Sequence, residues 1–228
     1  MPTDAPAPRA KRRDAARNND RLVQAAREVF ARQGLSATLE DIARHAGVGV
    51  GTVYRNFASK REIIDSLYGA VLESVLADVR AALEIDDPWV GLATFFEVTA
   101  ANQARDRGLC ETFLGRDGVS DADAAVAAEL IPALSRLFSR ASAAGVLRAG
   151  VSYTDAWPIF AMLYTLYGVS EEHPELWRRY LAVLLDGLRA DGGGADADGG
   201  AAGTGVRGAL PVPPLDAARF AASLNAPR

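Results

Sequence analysis

Apolar residues recur at helical spacing through most of this chain, and short polar or Gly/Pro stretches separate the runs. Leu22, Ala26, Val29 and Phe30 share one helical face, between a start near Asn19 or Asp20 and a stop at Gly34. Thr38 opens a short helix as its N-cap, with Asp41 suited to the positive end of the helix dipole and Ile42, Ala43 and Ala46 turned inward. Gly47 follows where a tight stop calls for positive φ. A second short helix runs from about Val50 to Phe57, with Val53 and Phe57, four apart, facing inward. Ser59 and Glu62 form a capping box, and from Ile63 the apolar residues keep helical spacing to about Leu83. This long helix would span roughly 35–40 Å. Asp86, Asp87 and Pro88 break it.

About five further helices are expected beyond it. Pro88 opens one that runs to about Arg105, and a short irregular piece follows at Leu109–Leu114. Ala122 to Ala144 makes another, kinked or broken at Pro132. Thr154 to about Tyr167 is apolar nearly all round and should be buried on most sides. Pro174 opens the last, through Leu176, Tyr180, Val183, Leu184 and Leu188. The expected fold class is all-α: an N-terminal three-helix helix-turn-helix head, then a helical bundle. The predicted divisions are a disordered basic arm (1–18), the head (19–70), the bundle (71–190) and a flexible Gly/Ala/Asp-rich tail (191–228). Within that tail, residues 211–224 are either a disordered end or a proline-fixed peptide for a partner.

Residues 38–61, TLEDIARHAGVGVGTVYRNFASKR, carry the most chemistry. Small Ala43 allows a second helix to cross closely, Gly47 makes the turn, and Val48 and Val53 anchor either side: a helix-turn-helix arrangement. Its second helix presents Gly49, Val50, Gly51, Thr52, Tyr54, Arg55 and Asn56 outward. Arginine can read guanine and asparagine adenine, whereas threonine and tyrosine can hold phosphate or touch a thymine methyl. Each of these alone is as readily an ordinary surface residue; the surrounding pattern favours a DNA-reading helix. Lys60 and Arg61 stand in the first turn of the long helix, against its dipole, which makes sense if that helix end grips a phosphate.

The runs AAREVFARQG (25–34), Thr38 and DIARHAGVGVGTVYRNFASKREI (41–63) resemble the N-terminal domain of the tetracycline-repressor (TetR) family. The resemblance covers about a quarter of the chain, and GTVYRNFASK is its most characteristic part. It implies a transcriptional regulator, most commonly a repressor, that contacts double-stranded DNA through Thr38, Val50, Gly51, Thr52, Tyr54, Arg55, Asn56 and Lys60. It also implies a second domain that binds a small-molecule effector and forms a homodimer through the last two helices. Phe95, Phe96, Thr99, Asn102, Phe113, Trp157, Phe160 and Tyr164 are the candidate effector residues: aromatic walls with sparse polar groups, each individually as well suited to a core. An effector-independent architectural DNA-binding protein is the alternative.

Charge sharpens this picture. The net charge is −4, yet residues 1–70 carry 12 Lys and Arg against eight acids, and the remainder carries 13 against 21. The basic excess lies with the helix-turn-helix, as phosphate neutralisation requires. Arg9, Lys11, Arg12, Arg13 and Arg17 could form an arm that reaches a minor groove, adds phosphate contacts or simply stays solvated. The lone cysteine, Cys110, excludes an internal disulfide and fits a reducing compartment. The absence of an apolar leader or a run of ~18 apolar residues predicts a cytoplasmic protein without a membrane span. With only His45 and His173, and no metal-spaced cluster, phosphate loop or nucleophile elbow, neither an enzyme nor a metal or other cofactor is expected.

Overall fold

The computed structural model describes residues 8–105, 121–167, 173–190, 210–216 and 218–219. Eight α-helices lie among them: α1 (Pro8–Gln33), α2 (Leu39–Ala46), α3 (Val50–Asn56), α4 (Lys60–Leu83), α5 (Pro88–Arg105), α6 (Asp121–Ala143), α7 (Ala156–Tyr164) and α8 (Leu176–Leu188). Short 3-10 turns, Gly34–Ser36 and Tyr153–Asp155, precede α2 and α7. No strand occurs among the described residues; extended backbone pairs only at the single bridge between Leu147 and Arg189. These residues fall into two compact units, one ending at Val71 and the other beginning at Leu72.

The start of α1 corrects the sequence reading. The helix begins at Pro8, inside the stretch expected to be a disordered arm, rather than near Asn19. Proline is tolerated in a first turn, where its missing N–H has no intrahelical partner to lose, and the Ala/Arg/Lys-rich run that follows is made of strong helix formers. The piece expected at 109–114, with Cys110 and Phe113, lies outside the described residues, as does the tail at 191–209.

In the first unit, Leu22, Ala26, Val29 and Phe30 of α1 pack with Ile42 and Ala43 of α2, Val53 of α3, and Ile63 and Leu67 of α4. Local chemistry sets each helix boundary. The Thr38 hydroxyl accepts from the Asp41 N–H at 3.2 Å, and the Asp41 carboxylate accepts from the Thr38 N–H at 3.0 Å, a reciprocal capping box. The Thr38 hydroxyl also donates to that carboxylate at 2.7 Å, and this bond, with the one from the Thr38 N–H, holds the Asp41 carboxyl below the usual aspartate range. Gly47 ends α2 at φ 68°, a left-handed conformation that a side chain would strain. Ser59 caps α4 as expected, accepting from the Glu62 N–H at 3.2 Å, and the Glu62 carboxylate reaches back to accept from the N–H of Ala58.

In the second unit, α5 supplies Leu92, Phe95, Phe96 and Ala100 to a core shared with Leu137 and Phe138 of α6, Phe160 and Leu163 of α7, and Trp177 and Leu181 of α8. α6 runs through Pro132 unbroken. α7 is shorter than expected and not covered all round: Met162 is half exposed. Arg140 of α6 closes the C-terminal end of α4, donating to the carbonyls of Leu83 at 2.7 Å and Ala82 at 3.2 Å, the latter also accepting from the Ile85 N–H at 3.3 Å. The guanidinium fits because residue 91 is glycine. A Cβ there would stand 2.5 Å from Arg140 Nη2 and 2.7 Å from the Ala82 carbonyl oxygen. Gly91→Ala is therefore expected to destabilise the fold by about 1–3 kcal/mol, read as a lower urea midpoint with an unchanged slope.

Candidate nucleic-acid interface

The first unit holds α3 by one side and leaves the other open. Val53 is fully buried, Phe57 is buried at the helix end, and α2 packs against both α1 and α3. The Gly47 turn is fixed by a bond from the Val48 N–H to the Ala43 carbonyl at 3.0 Å. On the opposite side Tyr54 is 51% exposed and Arg55 is exposed. At Gly49 and Gly51 no heavy atom beyond the chain neighbours and the helix's own backbone lies within 4 Å of where a Cβ would stand. A flat backbone surface with a phenol and a guanidinium beside it can approach a duplex closely.

The predicted residues are not equivalent. Arg55 folds along its own helix, donating from Nε to the Gly51 carbonyl at 3.0 Å and from Nη2 to Thr52 Oγ1 at 3.4 Å. Thr52 and Arg55 thus form one polar unit. Asn56 is half-buried, and its amide donates to the Thr52 carbonyl at 2.7 Å, capping the end of α3. Val50 packs partly against the core, so only part of it faces out. Thr38 remains exposed, although its hydroxyl is occupied with Asp41. Lys60 starts α4 with its ammonium 5.7 Å from the centre of the Phe30 ring, a cation–π approach that steadies the stem.

One contact had no sequence signal. His45 Nε2 lies 2.6 Å from Glu28 Oε2 and ties α2 to α1 across 17 positions. The hydrogen bond to His45, helped by one from Gln24, lowers the Glu28 carboxyl. Arg44, exposed beside it and paired with Asp41 at 3.1 Å, adds a cation on the α2 surface. Among the described residues no group of three or more His, Cys, Asp or Glu is placed to hold a metal, and no helix is long and apolar enough to cross a membrane.

Comparison with known proteins agrees with this geometry. Residues 22–67 match the bacterial regulatory proteins of the tetR family, and residues 87–190 match the C-terminal domain of SbtR-like transcriptional regulators. A crystallised TetR transcription regulatory protein from Mycobacterium vanbaalenii is 30% identical, with 78% of this chain and 98% of that one covered at a TM-score of 0.51. The chain belongs to the TetR family. A TetR transcriptional regulator from Streptomyces coelicolor is 29% identical, covering 75% of this chain and 98% of its own at a TM-score of 0.53. The HTH-type transcriptional regulator SrpR of Pseudomonas putida is 42% identical over 86 residues, 37% of this chain. The matched region spans 37% of SrpR and 58% of the related regulator TtgW. The TetR family is one of transcriptional regulators, not enzymes.

The second unit of this TetR-family chain sorts the candidate effector residues. Phe95, Phe96 and Phe160 are buried against one another, with ring centres 5.2–5.7 Å apart. Thr99 is buried too, and Trp157, Tyr164 and Asn102 are half-buried. Thr99 and Asn102 converge on Asp78 of α4, at 3.0 and 3.3 Å. Asp78 was not singled out from the sequence, because an acid on a long solvated helix carries no mark of the helix that will pack against it. Phe113 lies outside the described residues.

Proposed function

We propose that this protein is a transcriptional repressor that binds a palindromic operator as a homodimer and is released by a small-molecule effector bound in its second unit. The observation that carries the DNA-reading half is α3: its inner side is locked by Val53 and Phe57, and its outer side offers Tyr54, the Thr52–Arg55 pair and the open backbone at Gly49 and Gly51. The basic excess of the first 70 residues supports it. Thr38, Val50, Asn56 and Lys60 complete the contact set, Lys60 with the start of α4 as a phosphate grip. A single helix-turn-helix reads few base pairs, so two copies on a two-fold site supply affinity and specificity. α7 and α8 are the proposed seam. The effector acts by preferring the arrangement in which the two α3 helices are wrongly spaced for successive major grooves. Such a protein works in the cytoplasm, with the DNA it reads.

Selection of bound duplexes from a random pool tests this reading. An enriched inverted repeat is the expected result, and salt-dependent binding without sequence preference would leave an architectural protein instead. Within the enriched site, Lys60→Ala should weaken binding to every duplex and reduce the salt slope by about 1. Arg55→Ala should relax preference at particular base pairs at a cost of about 1–3 kcal/mol. Gel shifts over a salt series separate the two effects; an unchanged slope in Lys60→Ala removes its phosphate role.

A further inference from the structure

Asp78 is the least explained charge in the second unit. Its Oδ2 accepts from Thr99 Oγ1 and Asn102 Nδ2, both neutral donors on α5. Among the described residues no lysine or arginine pairs with it, both of those bonds go to Oδ2, and the residue is half-buried. Burial raises the carboxyl above the usual aspartate value, with the two hydrogen bonds acting against that rise. An acid that ionises less readily folded than unfolded lowers stability at neutral pH and regains it only as pH falls. A neutral amide would tie α4 to α5 without that cost. A carboxylate where an amide would serve the packing alone suits a group that binds a ligand.

The surroundings indicate what would bind. Thr99 lies one turn from Phe95, whose ring meets Phe160 edge-on at 5.7 Å. Beyond Asn102, the Tyr167 hydroxyl donates to Gln103 at 3.3 Å, and its ring meets those of Tyr164 at 6.3 Å and Trp177 at 6.2 Å. Thr99, Asn102 and Gln103 lie within about one turn of α5, so Asp78 and the Tyr167 hydroxyl meet neighbouring positions of that helix.

We propose that Asp78 is the anionic anchor of the effector site, and that the effector is a protonated amine on an apolar body. This rests on the effector-responsive reading above. Thr99 and Asn102 hold Oδ2 and orient the carboxylate; the ammonium donates to Oδ1, and the half-buried rings of Tyr164 and Tyr167 take the apolar body and favour a cation over their faces. A carboxylate compound is repelled here, and a neutral one leaves the Asp78 charge unpaired.

Calorimetric titration of the full chain with phenylbutylamine, phenylbutanol and phenylbutyrate tests this. The amine should bind tightest, and Asp78→Asn should weaken the amine by about tenfold or more while leaving the alcohol unchanged and the melting temperature equal or higher. Alcohol or carboxylate binding as tightly as the amine, amine binding unmoved in Asp78→Asn, or a lower melting temperature of that variant each overturns the proposal. Operator binding of the wild-type chain is measured alongside. If it is intact while no amine preference appears, only the Asp78 assignment falls; if it is absent, the repressor reading falls.

Discussion

Val183→Asp is expected to give a folded monomer that binds operator at least about a hundredfold more weakly than the parent chain. α8 has two apolar sides. Trp177, Leu181 and Leu185 are buried in the second unit, and their packing needs nothing from Val183, which is 61% exposed. Tyr180, one turn earlier on the same outer side, and Met162 on α7 are also open to solvent. A single exposed aliphatic is ordinary; three on the two helices proposed as the seam suit a surface that a second copy covers. An aspartate there disturbs little in the isolated chain. In a two-fold seam it appears in both copies, each an unpaired charge with a desolvation cost of several kcal/mol. The monomer then reads one half-site, losing the second set of α3 contacts. Sedimentation velocity gives the mass, circular dichroism the fold and gel shifts the affinity. A variant that stays dimeric places the interface elsewhere.

The first unit was legible in the sequence because its determinants are local. Thr38 and Asp41 are three residues apart, Gly47 needs only its own φ, and Val53 and Phe57 lie four apart, in α3 and at its C-cap. Such features announce themselves within a few positions. The bond between His45 and Glu28 and the convergence of Thr99 and Asn102 on Asp78 join different helices, and no spacing rule specifies them. The start of α1 was missed for another reason. A basic, alanine-rich run has the composition of a solvated arm and equally that of a strong helix, and charge alone does not separate the two. Arg140 escaped notice because its target is the carbonyl end of α4, opened to it by a glycine 49 positions earlier.

Phe96→Ala is expected to destabilise the second unit by about 3–5 kcal/mol, whereas Trp157→Ala should cost markedly less. Both were candidate effector contacts, since aromatic residues on apolar helices serve a core or a pocket equally well in sequence. Their surroundings differ. Phe96 has no exposed surface, and its ring meets Phe95 at 5.2 Å, Phe160 at 5.3 Å and Phe138 at 6.1 Å. Truncation removes those contacts from three helices and leaves a void that close-packed neighbours fill only in part. Trp157 is half-buried near the start of α7, so part of its surface is already wet and its loss leaves less of a void. Urea denaturation of the two variants, compared at equal slope, gives the difference directly. If Phe96→Ala loses less than about 1 kcal/mol, these rings face a space rather than one another, and the phenylalanine cluster returns to the effector site. A large loss leaves recognition to the half-buried aromatics and to Asp78, where substitutions should alter amine binding more than folding.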